Sequence, residues 1–502
     1  MASTALLRRV LALPPHLRRS VYSSATTYHG ASQPDIYDVV CIGGGPVGLS
    51  FVSALRSHPS TSALRVALID SQDLSTARTT KDTETFSNRC SSLTPASLRF
   101  LKQIGAWEHA KKERTQPYHA MDVWDGVSGS KIHFDSVDQQ QTGLLDAVAE
   151  MIPGSRFQAS RRKYEVEDVG VATMCENANT TSALLQRLHE LDEERSKDRL
   201  IFDMLEKTRV ESIDLGPESK DKESLDLSQW PIVTTSHGRI AARLLVGADG
   251  ANSPVRQFAD IPSPGWDYNQ HGVVATLDLD QQSTAQNLRT AYQRFLPTGP
   301  VALLPLPGNK ASLVWSTTPQ HAAKLKTLSR PDFTAAVNAA FRLMPLAWRE
   351  NATPAASTGL PRNFPRIASV QEGSIASFPL RMRHADTYTG HRIALIGDAA
   401  HTIHPLAGQG LNLGLADAEY LAQRIAYGVD HGMDVGSCWT LDGYNSDRWA
   451  KNNAVIGVVD KLSKIYGVGS GPVVWGRSAG VEVLERLGTL KGWMMGAAAG
   501  VK

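Results

Sequence analysis

Residues 36–42 (Ile-Tyr-Asp-Val-Val-Cys-Ile) pass directly into Gly43-Gly44-Gly45-Pro46-Val47-Gly48, and then into an apolar stretch at 49–55. Nothing else in the 502-residue chain limits its fold as tightly. The β-branched run predicts a buried strand, and the apolar stretch after Gly48 predicts a helix. Gly43 permits the tight turn between them, Gly45 lets backbone approach a pyrophosphate, and Gly48 lets the helix pack close to the strand. The first turn of such a helix leaves N–H groups free for phosphate oxygens. A second strand at 65–69 ends in Asp70, 22 residues beyond Gly48, where a carboxylate can accept ribose hydroxyls. The unit predicts an α/β domain that binds a dinucleotide. Its glycines do not separate NAD from FAD.

Two later segments repeat the strand-then-loop pattern. Residues 244–256 read Leu-Leu-Val-Gly-Ala-Asp-Gly-Ala-Asn-Ser-Pro-Val-Arg, a strand ending at Asp249-Gly250 and turning into a short helix. Residues 393–414 read Ile-Ala-Leu-Ile-Gly-Asp-Ala-Ala-His-Thr-Ile-His-Pro-Leu-Ala-Gly-Gln-Gly-Leu-Asn-Leu-Gly, again strand, loop and helix. In this order the three segments resemble the single-component flavin aromatic hydroxylases. The stretch 404–414, with Asp417 after it, resembles the signature of the ubiquinone-biosynthesis hydroxylases. The resemblance continues through Ser87-Asn88-Arg89, Glu176-Asn177, Tyr444, Arg448 and Asn452. It spans about residues 35–500 and is weakest over 112–170 and 190–232.

The resemblance implies FAD as cofactor and assigns places around it. Gly397 and Asp398 would lie beside the ribityl chain and pyrophosphate, with the carboxylate accepting a ribityl hydroxyl. The loop 404–412, with Pro405, Gly408, Gly410, Leu411 and Asn412, would lie against the isoalloxazine ring. A helix beginning near Leu411 would aim its positive end at N1–C2=O, where the reduced ring is anionic. Arg89 would contact the ribityl side. Asp249 and Gly250 would sit near the pyrophosphate, with Arg256 supporting that loop by ion pairing. The chemistry implied is oxygen transfer from a flavin C4a-hydroperoxide, with O2 as co-substrate, to a polyprenylated phenol. By resemblance the substrate is a polyprenyl-4-hydroxybenzoate-type precursor, hydroxylated at C5 during ubiquinone synthesis. The protein positions the ring and excludes water while the flavin carries the difficult steps.

No nucleophilic triad is expected, and the residues name no catalytic base; His271 and His404 are the two candidates. A single Gly-x-Gly-x-x-Gly unit, which FAD claims, together with the resemblance, points to a ferredoxin and its reductase as the electron source. Other coenzyme Q biosynthesis proteins would be partners in a complex. Two alternatives stay open: a flavin hydroxylase or oxidoreductase of this fold acting on another aromatic or isoprenoid, and a scaffold that keeps FAD without catalysis.

Other patterns have plainer readings. Asp398, His401 and His404 recur every three residues, a spacing that could hold a metal on a helix. Gly397, Pro405 and Gly408 argue against a regular helix there, so no metal site is expected. Tyr444, Arg448 and Asn452 share one helix face and read as packing residues. Glu176-Asn177 reads as the opening of a helix that runs to Leu191. The four cysteines form no Cys-x-x-Cys pair and no disulfide framework, and Cys41 and Cys90 read as packed thiols.

Charge and segment composition bound the rest. With 52 basic and 50 acidic residues the chain has no excess that would suit nucleic acid. Residues 1–34 carry four arginines, five serines and no acid, the pattern of a mitochondrial transit peptide. No apolar stretch suits a spanning helix. Residues 473–502 combine an apolar face with Trp475, Trp493 and several basic residues, which suits either an interfacial helix or packing on a partner. Peripheral attachment to the matrix side of the mitochondrial inner membrane is the expectation, because a polyprenyl tail partitions into lipid.

The fold expected is α/β: a discontinuous Rossmann-type FAD-binding domain, an intervening mixed β-sheet substrate domain and a helical C-terminus, as in aromatic flavin hydroxylases. The FAD-binding parts are placed at 35–115, 165–261 and 372–430, the substrate domain at 116–164 and 262–371, and the helical region at 431–502. Residues 301–306 and 311–316 read as strands, with Val301, Leu303, Leu304, Leu306, Val314 and Trp315 as sheet core. Residues 216–229 read as a solvated loop.

Overall fold

The computed structural model describes residues 34–75, 85–135, 170–193, 202–218, 226–280, 289–343, 361, 364–404 and 408–467. Pro405, almost all of the expected transit segment and the apolar tail lie outside them.

The first sheet is built on β1 (Asp35–Ile42), β2 (Val66–Ile69), β3 (Phe202–Leu205), β4 (Gly238–Gly247) and β5 (Ile393–Leu395). These five run parallel in the order β3-β2-β1-β4-β5. Val39, Val40, Cys41 and residues 66–69 are fully buried, as strands covered on both faces must be. Helices α1 (Pro46–Ser57), α2 (Asn177–Glu193), α3 (Gly410–Asp430) and α4 (Cys438–Tyr466) complete this unit. The glycine sequence therefore stands where β1 feeds α1, at the carboxyl edge of a parallel sheet.

The second sheet is built mainly of antiparallel pairs centred on Gly265–Leu279, Lys310–Thr317, Gly299–Leu306 and Thr290–Leu296. Ala120–Asp125 and Lys131–Asp135 extend it, the former parallel to Thr290–Leu296. The helix Arg330–Arg342 covers one face through Phe333, Val337 and Phe341. Val301, Leu303 and Trp315 belong to that covered core, as expected. Leu304, Leu306 and Val314 lie on the opposite face: Leu306 is buried in a second cluster with Tyr118, Ala172, Met174 and Ala291, half-buried Leu304 packs against that cluster, and Val314 is half-buried. Strand side chains alternate with a period of two, so an unbroken apolar run conceals two different faces.

Two boundaries differ from the sequence reading. Ala376–His384 pairs with Gly265–Leu279, and His401–Thr402 pairs with Ala376–His384, so the second sheet continues beyond residue 372. The segment read as a solvated loop at 216–229 is anchored at both described ends, with Gly216 and Leu227 buried and Leu227 packed with Trp230 and Ile232.

The two halves of the first unit meet at one buried carboxylate. Asp417 on α3 is fully buried and accepts from Arg448 Nε at 2.9 Å, Asn452 Nδ2 at 3.0 Å and the Gly397 N–H at 3.2 Å, and pairs with His401 Nε2 at 2.6 Å. The Tyr444 hydroxyl donates to the Leu395 carbonyl at 2.6 Å. Tyr444, Arg448 and Asn452 thus fasten α4 to β5 and α3, the packing role that their shared helix face suggested. Burial alone would raise the Asp417 carboxyl, but His401 and Arg448 outweigh it and hold the group below the ordinary carboxylate range. Among the described residues, no helix is long and apolar enough to cross a membrane.

Replacing one member of a buried charge pair leaves the other uncompensated, so Arg448→Ala should cost about 3–5 kcal/mol of stability in denaturant unfolding. Because the Asp417 carboxyl is depressed, its contribution is present above the usual carboxylate pKa of about 4 and is lost as the pH falls further. The acid limb of the wild-type stability curve should flatten in Asp417→Asn. A loss below about 1 kcal/mol for Arg448→Ala would show the network to be dispensable.

Candidate active site

The three glycines of the first motif are placed in two different ways. Gly43 has φ +114°, and a β-carbon there would stand 2.2 Å from the Ala248 carbonyl oxygen. At Gly48 a β-carbon would stand 2.0 Å from the Gly43 carbonyl oxygen. Both are consumed by protein packing: β1 against β4, and α1 against the turn. Gly45 is different. It is the N-cap of α1, Pro46 follows it, and no atom lies within 4 Å of where its β-carbon would be. The N-terminus of α1 carries no side-chain cap, and its N-cap glycine leaves room for backbone to be approached closely. Asp70, at the end of β2, accepts the Gly44 N–H at 2.6 Å and the Gln72 N–H at 2.7 Å. It braces the glycine turn, a contact the sequence reading did not include.

Asp249 follows Ala248, the residue against which Gly43 packs. One of its carboxylate oxygens accepts the Val255 N–H at 3.2 Å. The other is buried and has no hydrogen-bond partner among the described residues. Burial pushes the Asp249 carboxyl upward, opposed by its bonds to Ser253 and Val255. The expected Arg256–Asp249 ion pair does not form. Arg256 instead donates to the carbonyls of Ala399 at 2.6 Å and Ala251 at 2.7 Å. Its fork is occupied by backbone oxygens of two turns, and through them it ties the Asp249 loop to the Asp398 turn.

Gly397 has φ +62° and opens a short 3-10 turn, Gly397–Ala399. Its neighbours fix its place against the first motif: β-carbons at Gly397 and Gly414 would stand 3.2 Å and 2.7 Å from Val47 of α1. The second glycine loop is thus packed on the first. Asp398 reaches solvent, yet its carboxyl is pushed up by burial, with His401 opposing. Gly410 begins α3, and like Gly45 it has no atom within 4 Å of its β-carbon position. Gly408 has φ +60°, and Leu411 is half-buried.

The side chain of Asn412 is taken up entirely by protein partners. Its side-chain oxygen accepts the Thr94 N–H at 3.0 Å and the Ser97 hydroxyl at 2.7 Å, while its nitrogen donates to the Ser92 and Gly408 carbonyls. Arg89 is exposed, and its carbonyl accepts the N–H of Asn177, the first residue of α2. Glu176 does more than precede that helix: it is buried and takes a two-point ion pair from Arg114 at 2.6 and 2.9 Å. Glu176 and Arg114 are 62 positions apart, and no local pattern announces them.

Of the two candidate bases, His271 lies within Gly265–Leu279, and His404 is buried edge-on to Tyr268 with ring centroids 4.9 Å apart. Burial lowers the His404 imidazole to about 4, so it is neutral at physiological pH.

These features form a cradle for an anionic dinucleotide: two uncapped helix N-termini with open glycine positions, a buried carboxylate oxygen without a partner among the described residues, and the exposed carboxylate of Asp398. A family model described as an FAD binding domain matches residues 36–457. The mitochondrial ubiquinone biosynthesis monooxygenase of Schizosaccharomyces pombe is 38% identical over 483 residues, covering 92% of each chain. That of Homo sapiens is 33% identical over 489 residues, covering 94% of each. Among solved structures, p-nitrophenol 4-monooxygenase PnpA from Pseudomonas putida DLL-E4 superposes with a TM-score of 0.62 at 17% identity, covering 92% of this chain and 97% of that one. Pseudomonas aeruginosa PqsL in complex with 2-aminobenzoylacetate gives 0.61 at 19%, covering 89% and 100%. At these identities the two structures share the fold.

The glycine geometry separates folding from cofactor binding. Gly45→Val should fold, since its side chain enters open space, yet should purify with at least about tenfold less bound FAD because the side chain blocks backbone approach. Gly48→Val meets backbone at once and should fail to accumulate as folded protein. Full flavin absorbance in purified Gly45→Val would refute the placement of this loop against the cofactor.

Proposed function

The chain belongs to the family of the mitochondrial ubiquinone biosynthesis monooxygenases, FAD-binding flavoproteins, and on that premise we propose that it hydroxylates C5 of a polyprenyl-4-hydroxybenzoate-type ring in ubiquinone synthesis. The observation that carries this reading is the open cradle at Gly45, Gly410 and Asp249, retained in a chain that matches such monooxygenases over more than nine-tenths of its length. The same openings would serve a scaffold that only retains FAD, and oxygen consumption stimulated by substrate separates the two readings.

In this reading the residues divide the cofactor among them. The Gly43–Gly45 turn and the first turn of α1 hold the pyrophosphate, and Asp249 and Gly250 lie beside it. Asp70 serves the ribose next to the turn it braces. Gly397 and Asp398 take the ribityl chain, with Arg89 on the same side. Pro405, Gly408, Gly410, Leu411 and the Asn412 N–H face the ring. Bound FAD supplies the oxygen-activating redox chemistry. The chain orients the ring, keeps water away and places the helix dipole of α3 toward the flavin. The phenol is met by the second sheet, whose face away from the Arg330–Arg342 helix carries Leu304 and Val314.

The same reading supplies the partners: molecular oxygen, a ferredoxin with its reductase as electron source, and other coenzyme Q biosynthesis proteins. It also places the mature protein on the matrix face of the inner membrane, attached peripherally, because the polyprenyl tail of the substrate must pass from lipid to flavin.

Two measurements test this. The purified yellow protein, once reduced, should consume oxygen faster when a prenylated 4-hydroxybenzoate is added, and the C5-hydroxylated product should appear. Reduction should be rapid with ferredoxin and its reductase; rapid reduction by NADPH alone with substrate present would count decisively against that donor. In mitochondria, alkaline carbonate should release the protein, whereas sonication in low salt should leave most of it with membranes. Complete recovery in the soluble fraction after sonication would exclude attachment.

A further inference from the structure

Residues 85–89 run between the second sheet and a three-stranded sheet formed by Cys90–Leu93, Ala172–Glu176 and Thr115–Tyr118, and their backbone is held from both sides. From the three-stranded sheet, Glu176 accepts the Ser87 N–H at 2.6 Å. Arg114 donates to the Thr85 carbonyl at 2.9 Å and lies 4.3 Å over the Phe86 ring. The Asn177 N–H donates to the Arg89 carbonyl at 3.0 Å.

From the second unit, the side chain of Gln371 acts as a neighbouring strand would. Its oxygen accepts the Phe86 N–H at 2.9 Å, and its nitrogen donates to the Phe86 carbonyl at 2.8 Å. Asn88 donates to the Ser374 carbonyl at 2.5 Å. Gln371 and Ser374 belong to one turn, with Gly373 at φ +69°, and that turn is itself locked. The Gln371 N–H donates to the Thr276 carbonyl at 2.8 Å, and the Ser374 hydroxyl donates to the Gln371 carbonyl at 2.7 Å. Thr276 lies in Gly265–Leu279, the central strand of the second sheet.

We propose that Gln371 and Asn88 are positioning residues that set, from the second sheet, where Arg89 stands against bound FAD. The inference rests on the placement of Arg89 at the ribityl side. The physical argument is one of entropy and reach. An arginine side chain carries large rotamer freedom, and its fork contributes fully only when its backbone is already fixed. Asn88 immediately precedes Arg89, and Phe86 lies three residues before it. With Gln371 absent, the Phe86 N–H loses its partner and the Phe86 carbonyl keeps only the 3.3 Å bond from the Thr276 hydroxyl, so Asn88 becomes the main remaining tie to the second sheet. A displacement of about 1 Å is enough to degrade such a contact. The substrate-bearing sheet thereby has a direct mechanical hold on the cofactor side, through residues that do not touch the cofactor.

The test is a double-mutant cycle on the FAD dissociation constant, read by the recovery of flavin fluorescence on dilution of the holoenzyme. Unfolding midpoints are measured alongside. Arg89→Ala should weaken FAD binding by about tenfold or more, the scale of a charge-assisted bond. Gln371→Ala and Asn88→Ala should each weaken it by roughly three- to tenfold, the scale of a neutral hydrogen bond. The Gln371→Ala/Arg89→Ala double variant should be no weaker than Arg89→Ala alone, because both changes act through one side chain. A lower unfolding midpoint with unchanged FAD affinity in Gln371→Ala and Asn88→Ala overturns the proposal, as do effects that multiply with that of Arg89→Ala. Wild-type affinity in Arg89→Ala overturns the placement of Arg89 and the proposal with it. Wild-type affinity in Gln371→Ala beside a weakened Arg89→Ala overturns the proposal alone.

Discussion

The buried carboxylate of Asp417 is the interaction on which the arrangement of the site depends. A carboxylate without exposed surface costs several kcal/mol to desolvate, and that cost is met only when its oxygens are filled. Here they are filled by a backbone N–H from the Gly397 turn, by His401, and by Arg448 and Asn452 from α4. These donors belong to segments with no covalent reason to be near one another. Satisfying one charge therefore sets the start of the Asp398 turn, the strand that leads toward His404, and the seat of the long C-terminal helix. Tyr388 extends the same network, accepting from Asn452 at 3.1 Å and lying 2.8 Å from His384 on the second sheet.

Around that anchor the glycines do two kinds of work, and only their three-dimensional surroundings distinguish them. Gly43, Gly48 and Gly414 are required because neighbouring protein atoms occupy the space a side chain would take. Gly45 and Gly410 have no neighbour at all. A glycine that protein does not demand, at a helix N-terminus, is best explained by something that arrives later. The same logic sorts the polar residues. The amide of Asn412 is exhausted by four protein bonds, whereas one oxygen of Asp249 is buried with nothing to accept from among the described residues. Family motifs mix these two roles, and a motif residue can be indispensable without ever meeting the cofactor.

The parts of the site that were legible in the sequence are those whose physics is local. The glycine turn, the strands that flank it, the start of α2 at Asn177 and the beginning of α3 within one residue of Leu411 all arise from short-range constraints on backbone and burial. What was not legible is carried by pairs far apart in the chain. Asp417 meets Arg448 and Asn452 across 31 and 35 positions, Glu176 meets Arg114 across 62, and Gln371 meets Phe86 across 285. Arg256 was misread for a related reason: nearby opposite charge suggested an ion pair, but turn carbonyls have unfilled acceptor capacity and compete for the guanidinium. Leu304 and Val314 were misassigned because apolar composition does not reveal which sheet face a helix will cover.

To the apolar packing between its two units, a hydroxylase of this build adds directional bonds at the backbone of residues 85–89, and the reason is geometric. An apolar seam would hold the units together but would leave their relative placement soft, since dispersion contacts tolerate small slides. Hydrogen bonds to a backbone do not, because they weaken steeply once the angle falls away from linear. Phe86 is held by a two-point amide clamp, and Asn88 reaches the adjoining turn, so a shift of the second sheet must either break these bonds or carry the segment with it. Glu176 and Arg114 brace the other side with a buried ion pair, whose strength lies in being costly to open. A reaction that must bring a ring on one unit against a cofactor on the other gains from such a joint, because the alignment is then set by bond directions rather than by the looser fit of two surfaces.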